Sequence, residues 1–457
     1  MASAEVVICG AGIAGVAAAY ELAVERKVGR VVLVDPEPPL SVTSDKSTEC
    51  YRNFWPAPEL VRFMNRSIDR LEEWHEASGG RFALNRNGYA YFTASTERAD
   101  EFARAAAMSS GAGAGPLRVH RGAAGDPALP ETEHDRLAPG LDGFDLMLEP
   151  AAVRARYPWL RSEVRVALLA RRCGWLSAQQ LGMWLLERAR GKGAELLVGE
   201  VVGIERERGA VSAVDVVAGG APQRIATRCV VDAAGPRAAE VARLAGIELP
   251  LYSELHGKVY FEDLDRVVPR ELPLCIWGDP IDLVWDAAER AELAADPELR
   301  FLTETMTGGV HFRPEGGHDG RMLLLLWTYH LEPTAVVFPP RFDPFYPEVV
   351  LRGMAQMVPE FARYLDHRRR PFVDGGYYTK TRENRPLIGP TPVAGFHLMC
   401  GMSGWGIMAA SAACELLGAH VTGQADPAAA RWFLLSRYDD PEYRARLERG
   451  EFSSGQL

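Results

Sequence analysis

Residues 6–35 read VVICGAGIAGVAAAYELAVERKVGRVVLVD, and this stretch decides the fold. The apolar run Val6 to Cys9 predicts a buried strand, Ile13 to about Glu25 a helix, and Arg30 to Val34 a second strand that closes on Asp35. Gly10, Gly12 and Gly15 stand on the turn between the first strand and the helix in G-x-G-x-x-G spacing. In such a turn the first glycine permits the tight bend, the second lets a pyrophosphate approach the backbone, and the third lets helix and strand pack closely. The helix N-terminus, at Ile13 and Ala14, then aims free N–H groups and a positive dipole end at the phosphates. Asp35, followed by Pro36, offers a carboxylate to ribose hydroxyls and repels a 2′-phosphate. The unit predicts a Rossmann-like dinucleotide site, with a purely structural glycine turn as the alternative.

At 457 residues the chain is long enough for two cores, so two domains or one two-lobed unit are expected. Hydrophobic residues at 47% and charged residues at 25% match soluble globular averages, which sets aside disordered and fibrous classes. A formal charge of -10 argues against a polyanion binder, so no nucleic-acid partner is expected. The cysteines, scattered from Cys9 to Cys414 with no C-x-x-C pair, predict reduced thiols and no metal site. No export signal precedes Gly10, so a cytoplasmic location is expected. The long apolar stretch from Pro386 to Cys414 is broken by Gly395, Gly401, Gly404 and Gly406, and predicts packed strand, turn and helix instead of a membrane span.

Further along, Leu181 to Ala189 has a helical period, Glu195 to Ile204 reads as one strand, and Cys229 to Ala233 as a short buried strand. The Gly-, Ala- and Pro-rich stretch Phe102 to Glu149, and Leu251 to Arg370 with β-like runs such as Met322 to Trp327, read as insertions that build a second lobe. The GAGAG run at 111–115 follows Met108, Ser109 and Ser110 instead of a strand, so it reads as a loop.

Val230 to Pro236 reads VVDAAGP, a buried strand entering a turn whose Ala233, Ala234 and Gly235 can pass a bound dinucleotide without clash. Gly401, Met402, Ser403, Gly404, Trp405 and Gly406 lead into an Ala-rich helix from Ile407 to Leu417, with Met408 near its start. Such an N-terminus can stabilise negative charge on a reduced flavin ring. With GWLSAQQL (174–181) and RENRPLIGP (382–390), these segments make the chain resemble the D-amino-acid oxidase and glycine/sarcosine oxidase superfamily over nearly its whole length. The resemblance implies FAD as cofactor and an α/β fold, α+β overall. A discontinuous Rossmann-like FAD-binding domain (1–85, 151–250, 374–430) would carry a mixed β-sheet substrate domain (86–150, 251–373) and a C-terminal tail (431–457). It also implies that Val201 and Val202 lie beside the adenine, and that the loop Ser44 to Arg52 crosses the pyrophosphate and flavin, with Ser44, Asp45, Lys46, Ser47 and Thr48 as contacts.

Members of that superfamily oxidise amines or amino acids by hydride transfer to flavin N5, leaving an imine; the cofactor carries the chemistry and no acid-base dyad is required. No second G-x-G-x-x-G follows a strand, so electrons are expected from the substrate and not from NAD(P)H. Gly278, Asp279 and Pro280 resemble the G-D motif of aromatic-ring hydroxylases but fall in the expected substrate domain. Arg52 is a candidate for a substrate carboxylate, with a solvated loop arginine as the plain alternative. Lys46 and Lys258 are candidates for a cation near N5, with solvent exposure as the alternative. His311 and Tyr260 are candidates from the substrate lobe, with core packing as theirs.

Two departures from the sarcosine-oxidase pattern point to a bulkier amine. Met408 stands where that pattern has a carboxylate-holding lysine, and Trp405 where a histidine is frequent, which implies an apolar wall above the ring. The cysteine position of covalent flavin attachment, two residues before Tyr378, is Gly376, so noncovalent FAD is expected, with Cys50 the one loop cysteine that would overturn it. The expected partners are a small amine or amino acid and oxygen or another electron acceptor. Oxidation of a 2-hydroxy acid or alcohol on the same scaffold is one alternative; a flavin-binding electron-transfer or assembly subunit is the other.

Overall fold

The computed structural model of the protein describes residues 2–365, 371–452 and 455. Of the expected segments, Met1, 366–370 and 453, 454, 456 and 457 lie outside the described residues. A six-stranded sheet is built on the opening stretch. Its order is Glu195–Val198, Val31–Asp35, Val6–Cys9, Val230–Asp232, Phe396–Cys400 and Leu387–Pro390; only the last pair is antiparallel. Runs such as VVIC and VVLV are apolar throughout because both faces of this sheet are covered. Val6, Ile8, Val31 and Leu33 join a core with the helices Ile13–Tyr20, Ala178–Arg190 and Gly406–Val421, while Val7, Cys9, Val32 and Val34 pack on the other side.

What covers that other side was not foreseen. Glu195 to Ile204 is two strands, not one: Glu195–Val198 pairs with Val31–Asp35, and Glu200–Glu207 turns away into a second sheet with Ala210–Ala218, Ala221–Ala226 and Ala2–Ser3. The corner is Gly199, whose N–H donates to the Asp35 carbonyl at 3.0 Å and where a Cβ would lie 2.8 Å from the Val217 carbonyl oxygen. The first helix also ends differently. It is α-helical from Ile13 to Tyr20 and widens into a π-turn over Glu21–Glu25, where the buried Glu21 carboxylate receives Arg26 Nε and Arg70 Nη2, each at 2.8 Å.

The second lobe is a nine-stranded mixed sheet. Its order is Phe372–Lys380, Tyr252–Glu262, Met322–Leu326, His311–Glu315, Leu274–Trp277, Tyr89–Thr93, Val166–Ala170, Phe144–Met147 and Leu117–His120. The strand Val166–Ala170 falls within the expected 151–250 FAD-binding segment, and Phe372–Lys380 straddles the expected 373/374 boundary; both belong to this sheet. One face, through Phe92, Phe312, Leu325 and Trp327, packs under the helix Tyr346–Met357. The other, through Tyr89, Tyr91, Leu274 and Ile276, shares a core with Trp55, Met402 and Trp405 of the first lobe. The two sheets therefore meet where the 401–406 turn lies. All seven cysteines are free, and no described helix is long and apolar enough to cross a membrane.

Candidate active site

The glycine turn is shaped by close approach. Gly10 has φ +106° and donates its N–H to the Val34 carbonyl at 2.8 Å; a Cβ there would run into the Ala233 carbonyl oxygen. Gly15 is the packing glycine, because a Cβ on it would strike the Gly10 carbonyl. Gly12 precedes the helix, and the Ile13 N–H donates to Ser44 Oγ at 2.9 Å, which brings the 44–52 loop to the helix N-terminus. Asp35 accepts from the Ala11 N–H at 2.6 Å and the Glu37 N–H at 2.8 Å. Burial pushes its carboxyl above the ordinary value, against those two bonds and the nearby Arg237 charge.

From this turn a cavity of about 900 Å³ runs to the 401–406 turn. That volume lies at the upper end of the range for small-molecule and cofactor sites. Of the residues read as cofactor contacts, Gly10, Gly12, Ile13, Ala14, Asp35 and Pro36 line it, as do Ser44, Lys46, Val201 and Val202. Ala233, Ala234, Gly235, Gly401, Met402, Ser403 and Gly406 complete that set. Gly15, Asp45, Ser47, Thr48, Gly404, Trp405, Ile407 and Met408 do not line it. Trp405 turns inward instead, 4.9 Å from the Trp55 ring, with Nε1 donating to Asn384 Oδ1 at 3.4 Å; Met408 is buried in the same core. Gly404 lies against the Tyr378 ring, which a Cβ would overlap. A dinucleotide fits this donor set: a helix N-terminus for phosphates, a carboxylate for ribose, and a backbone cradle that side chains would fill.

Of the catalytic candidates only Lys46 lines the cavity; Arg52, Lys258, Tyr260 and His311 lie off it, and the plain surface readings fail for Arg52 and Lys258, which are buried. Lys46 lines the cavity and pairs with Asp45 Oδ2 at 2.8 Å and Asp374 Oδ2 at 3.3 Å; these pairs outweigh its partial burial and raise its amine. Lys258 is only 2% exposed, and Nζ donates to the Ser47 carbonyl at 3.0 Å. Burial holds its amine below the ordinary value, opposed by the charges of Asp374, Glu49 and Asp45. Arg52 is buried over the Trp55 ring at 4.2 Å, its guanidinium donating to the carbonyls of Phe54 at 2.6 Å and of Gly455. His311 gives Nδ1–H to the Gly309 carbonyl at 2.7 Å, and burial brings its imidazole down to about 4. Tyr260 packs 5.9 Å from Phe372, and burial pushes its phenol up to about 12.

The sequence reading missed the centre of this constellation. In Tyr252–Glu262 the side chains of Glu254, His256, Lys258 and Tyr260 share one face, and the register sets Tyr378 opposite Glu254. His256 stacks on the Tyr378 ring at 3.8 Å, and Tyr378 in turn sits on Gly404. Its Nε2 gives a proton to Glu254 Oε2 at 3.0 Å, so Nδ1 accepts from Thr328 Oγ1–H at 2.9 Å. Lys380 Nζ meets the same Glu254 oxygen at 2.7 Å. Burial raises the Glu254 carboxyl, but the bonds from His256 and Lys380 outweigh it and hold it below the ordinary range. The signal was present: SELHGKVYF alternates polar and apolar residues with period 2. A row of buried polar groups on one strand face is a functional mark.

Asp279 of the G-D-P triplet is a sheet-end anchor, accepting from the Ala94 N–H at 2.7 Å and from Thr93 Oγ1.

The family described as FAD dependent oxidoreductase (DAO) matches residues 5–420. No curated protein matches the sequence. Among solved structures, L-proline dehydrogenase from P. horikoshii is similar at 21% identity and TM-score 0.71, over 99% of this chain and 100% of that one. Glycine oxidase from Geobacillus kaustophilus follows at 19% and 0.69, covering 96% and 99%. L-α-glycerophosphate oxidase from Mycoplasma pneumoniae, with FAD bound, is similar at 16% and 0.65, covering 92% and 95%. At these identities the structures speak for the fold. The family match, spanning the glycine turn and the 401–406 turn alike, decides the rest: the chain belongs to the DAO family of FAD-dependent oxidoreductases.

Proposed function

We propose that the protein oxidises a C–N bond of an amine or amino acid. Bound FAD would take hydride at N5, and the substrate would leave as an imine that water hydrolyses. The observation that carries this reading is the buried polar row on the roof sheet, with His256 as its centre. Burial holds the His256 imidazole below its ordinary value, against the Glu254 bond and charge, so the ring is neutral; with Nε2–H given to Glu254, Nδ1 is an acceptor behind the Thr328 hydroxyl. An amine proton could pass through that hydroxyl to His256, where Glu254 would stabilise the resulting imidazolium. Proline dehydrogenase and glycine oxidase, both of this fold, act on amino acids by their names, which supports the substrate class.

A substrate bulkier than sarcosine is part of the proposal. Met408 replaces the expected lysine, and the Arg52 guanidinium is engaged by two main-chain carbonyls. FAD would be held noncovalently: a side chain at Gly376 would press on Lys46 and Thr43, and buried Cys50, off the cavity, gives its thiol to the Thr48 carbonyl at 3.1 Å. The terminal acceptor would be oxygen or another electron acceptor.

Glycerophosphate oxidase shares the fold, so oxidation of an alcohol or 2-hydroxy acid is the second reading. Anaerobic mixing of the FAD-loaded protein with panels of amines, amino acids and 2-hydroxy acids separates them. Bleaching by amines alone supports the first reading, and bleaching by hydroxy acids alone overturns it.

A further inference from the structure

One wall of the cavity comes from a segment that no motif marked. Phe338, Pro339 and Pro340, from the connection between Met322–Leu326 and Tyr346–Met357, line it beside Arg237. We propose that Arg237, held against Phe338, is the cation that the cavity supplies to the pyrophosphate of FAD, and that Val337–Pro340 is the strap that positions it.

Two cationic side chains line the cavity, Lys46 and Arg237, against the acids Asp35, Glu37, Glu200 and Glu240. Lys46 is taken by Asp45 and Asp374. Among the described residues Arg237 makes no salt bridge within 4 Å, although its charge is felt by Asp35 across the cavity and it closes the turn Gly235–Arg237 that forms part of the cavity wall. Its guanidinium lies 5.7 Å from the Phe338 ring centroid, a cation–π contact that leaves its hydrogen-bond donors to a ligand. Phe338 is 40% exposed, so its own burial does not fix its place. Tyr377 does. This buried side chain of the cavity-lining strand accepts the Val337 N–H at 2.9 Å, donates to the Val337 carbonyl at 2.8 Å, and meets the Phe338 ring edge-on at 5.6 Å.

A chain of contacts therefore runs from the roof strand through Tyr377 and Phe338 to Arg237. The pyrophosphate is the part of FAD that carries full negative charge, and a guanidinium can give it two parallel hydrogen bonds.

The inference rests on the family's cofactor and not on the substrate proposed above, so it is tested by binding alone. The apoprotein is titrated with FAD, ADP, adenosine and riboflavin, and its melting is followed to confirm folding. Arg237→Gln is expected to weaken FAD and ADP about tenfold or more while leaving adenosine and riboflavin within about twofold. Arg237→Lys should keep much of the affinity, and Phe338→Ala and Tyr377→Phe should each lose part of it for ADP. Arg237→Gln that binds FAD and ADP as tightly as the parent, or that loses adenosine as strongly as ADP, overturns the assignment. Unchanged ADP binding in both strap variants overturns the strap.

Discussion

At Gly10 a methyl group has nowhere to go. The backbone sits at φ +106°, and the Ala233 carbonyl fills the space a Cβ would take. Gly10→Ala is expected to cost at least about 1–2 kcal/mol of stability from the backbone alone and to weaken FAD binding, read by thermal melting and flavin titration. His311 carries a pH signature. Its imidazole titrates near 6.5 unfolded and near 4 folded, so between those values the unfolded chain binds more protons and stability falls as pH drops. Above about pH 6.5 the contribution is constant. His311→Asn should remove a pH-dependent term on the order of 3 kcal/mol, so the stability gap between parent and variant narrows from about pH 7 to about pH 5 in urea unfolding. A gap that stays constant would show that His311 does not bury a neutral ring. Such residues differ in how plainly the chain announces them. Gly10 and Asp35 were legible because their chemistry is local to one turn. His256 was hidden because Thr328, its partner just past the strand Met322–Leu326, and Lys380, the partner of its neighbour Glu254, come from distant parts of the chain.

Elements were legible where a single period runs through them, and failed where two sheets share one run. Nothing in EVVGIE (200–205) announces that the chain changes sheets at Gly199, since the reason is the Val217 carbonyl from a later strand. Trp405 misled for a similar reason. Its direction is fixed by Asn384, held at φ +56° inside the 382–390 motif, whose neighbour Glu383 is bonded by Arg437, Tyr438 and Tyr443. At the end of the first helix, Glu21 joins three helical segments through Arg26, Arg70 and the Arg70 bond to the Ser411 carbonyl at 3.0 Å. Glu21→Ala would leave the Arg70 charge buried, and a loss of about 3–5 kcal/mol in denaturant unfolding is expected. Replacing both Glu21 and Arg70 by apolar residues should recover much of it; equal losses in the single and double variants would show that the pair is not what matters.

At the scale of the molecule, the cavity runs from the glycine turn of one sheet to Gly375, Gly376, Tyr377 and Thr379 on the edge strand of the other, and the buried polar row lies on the next strand of that second sheet. Most of the glycine-turn end of the cavity lining was readable from sequence. The polar row was not, because its groups converge only when Tyr252–Glu262, Phe372–Lys380 and the segment after Met322–Leu326 come together. The proposed noncovalent attachment of the flavin rests on Gly376 and the buried Cys50: acid precipitation should leave a yellow supernatant over a colourless pellet, and a yellow pellet would refute it. The central claim is that the His256 row is the substrate side of the flavin. It is tested most directly by anaerobic flavin bleaching in single turnover, comparing parent and His256→Asn with the amine that the panel identifies. The expected result is unchanged FAD affinity with bleaching slowed at least about tenfold and its pH dependence altered. Bleaching at the parent rate and with the parent pH profile, in a variant that still holds FAD, would contradict it.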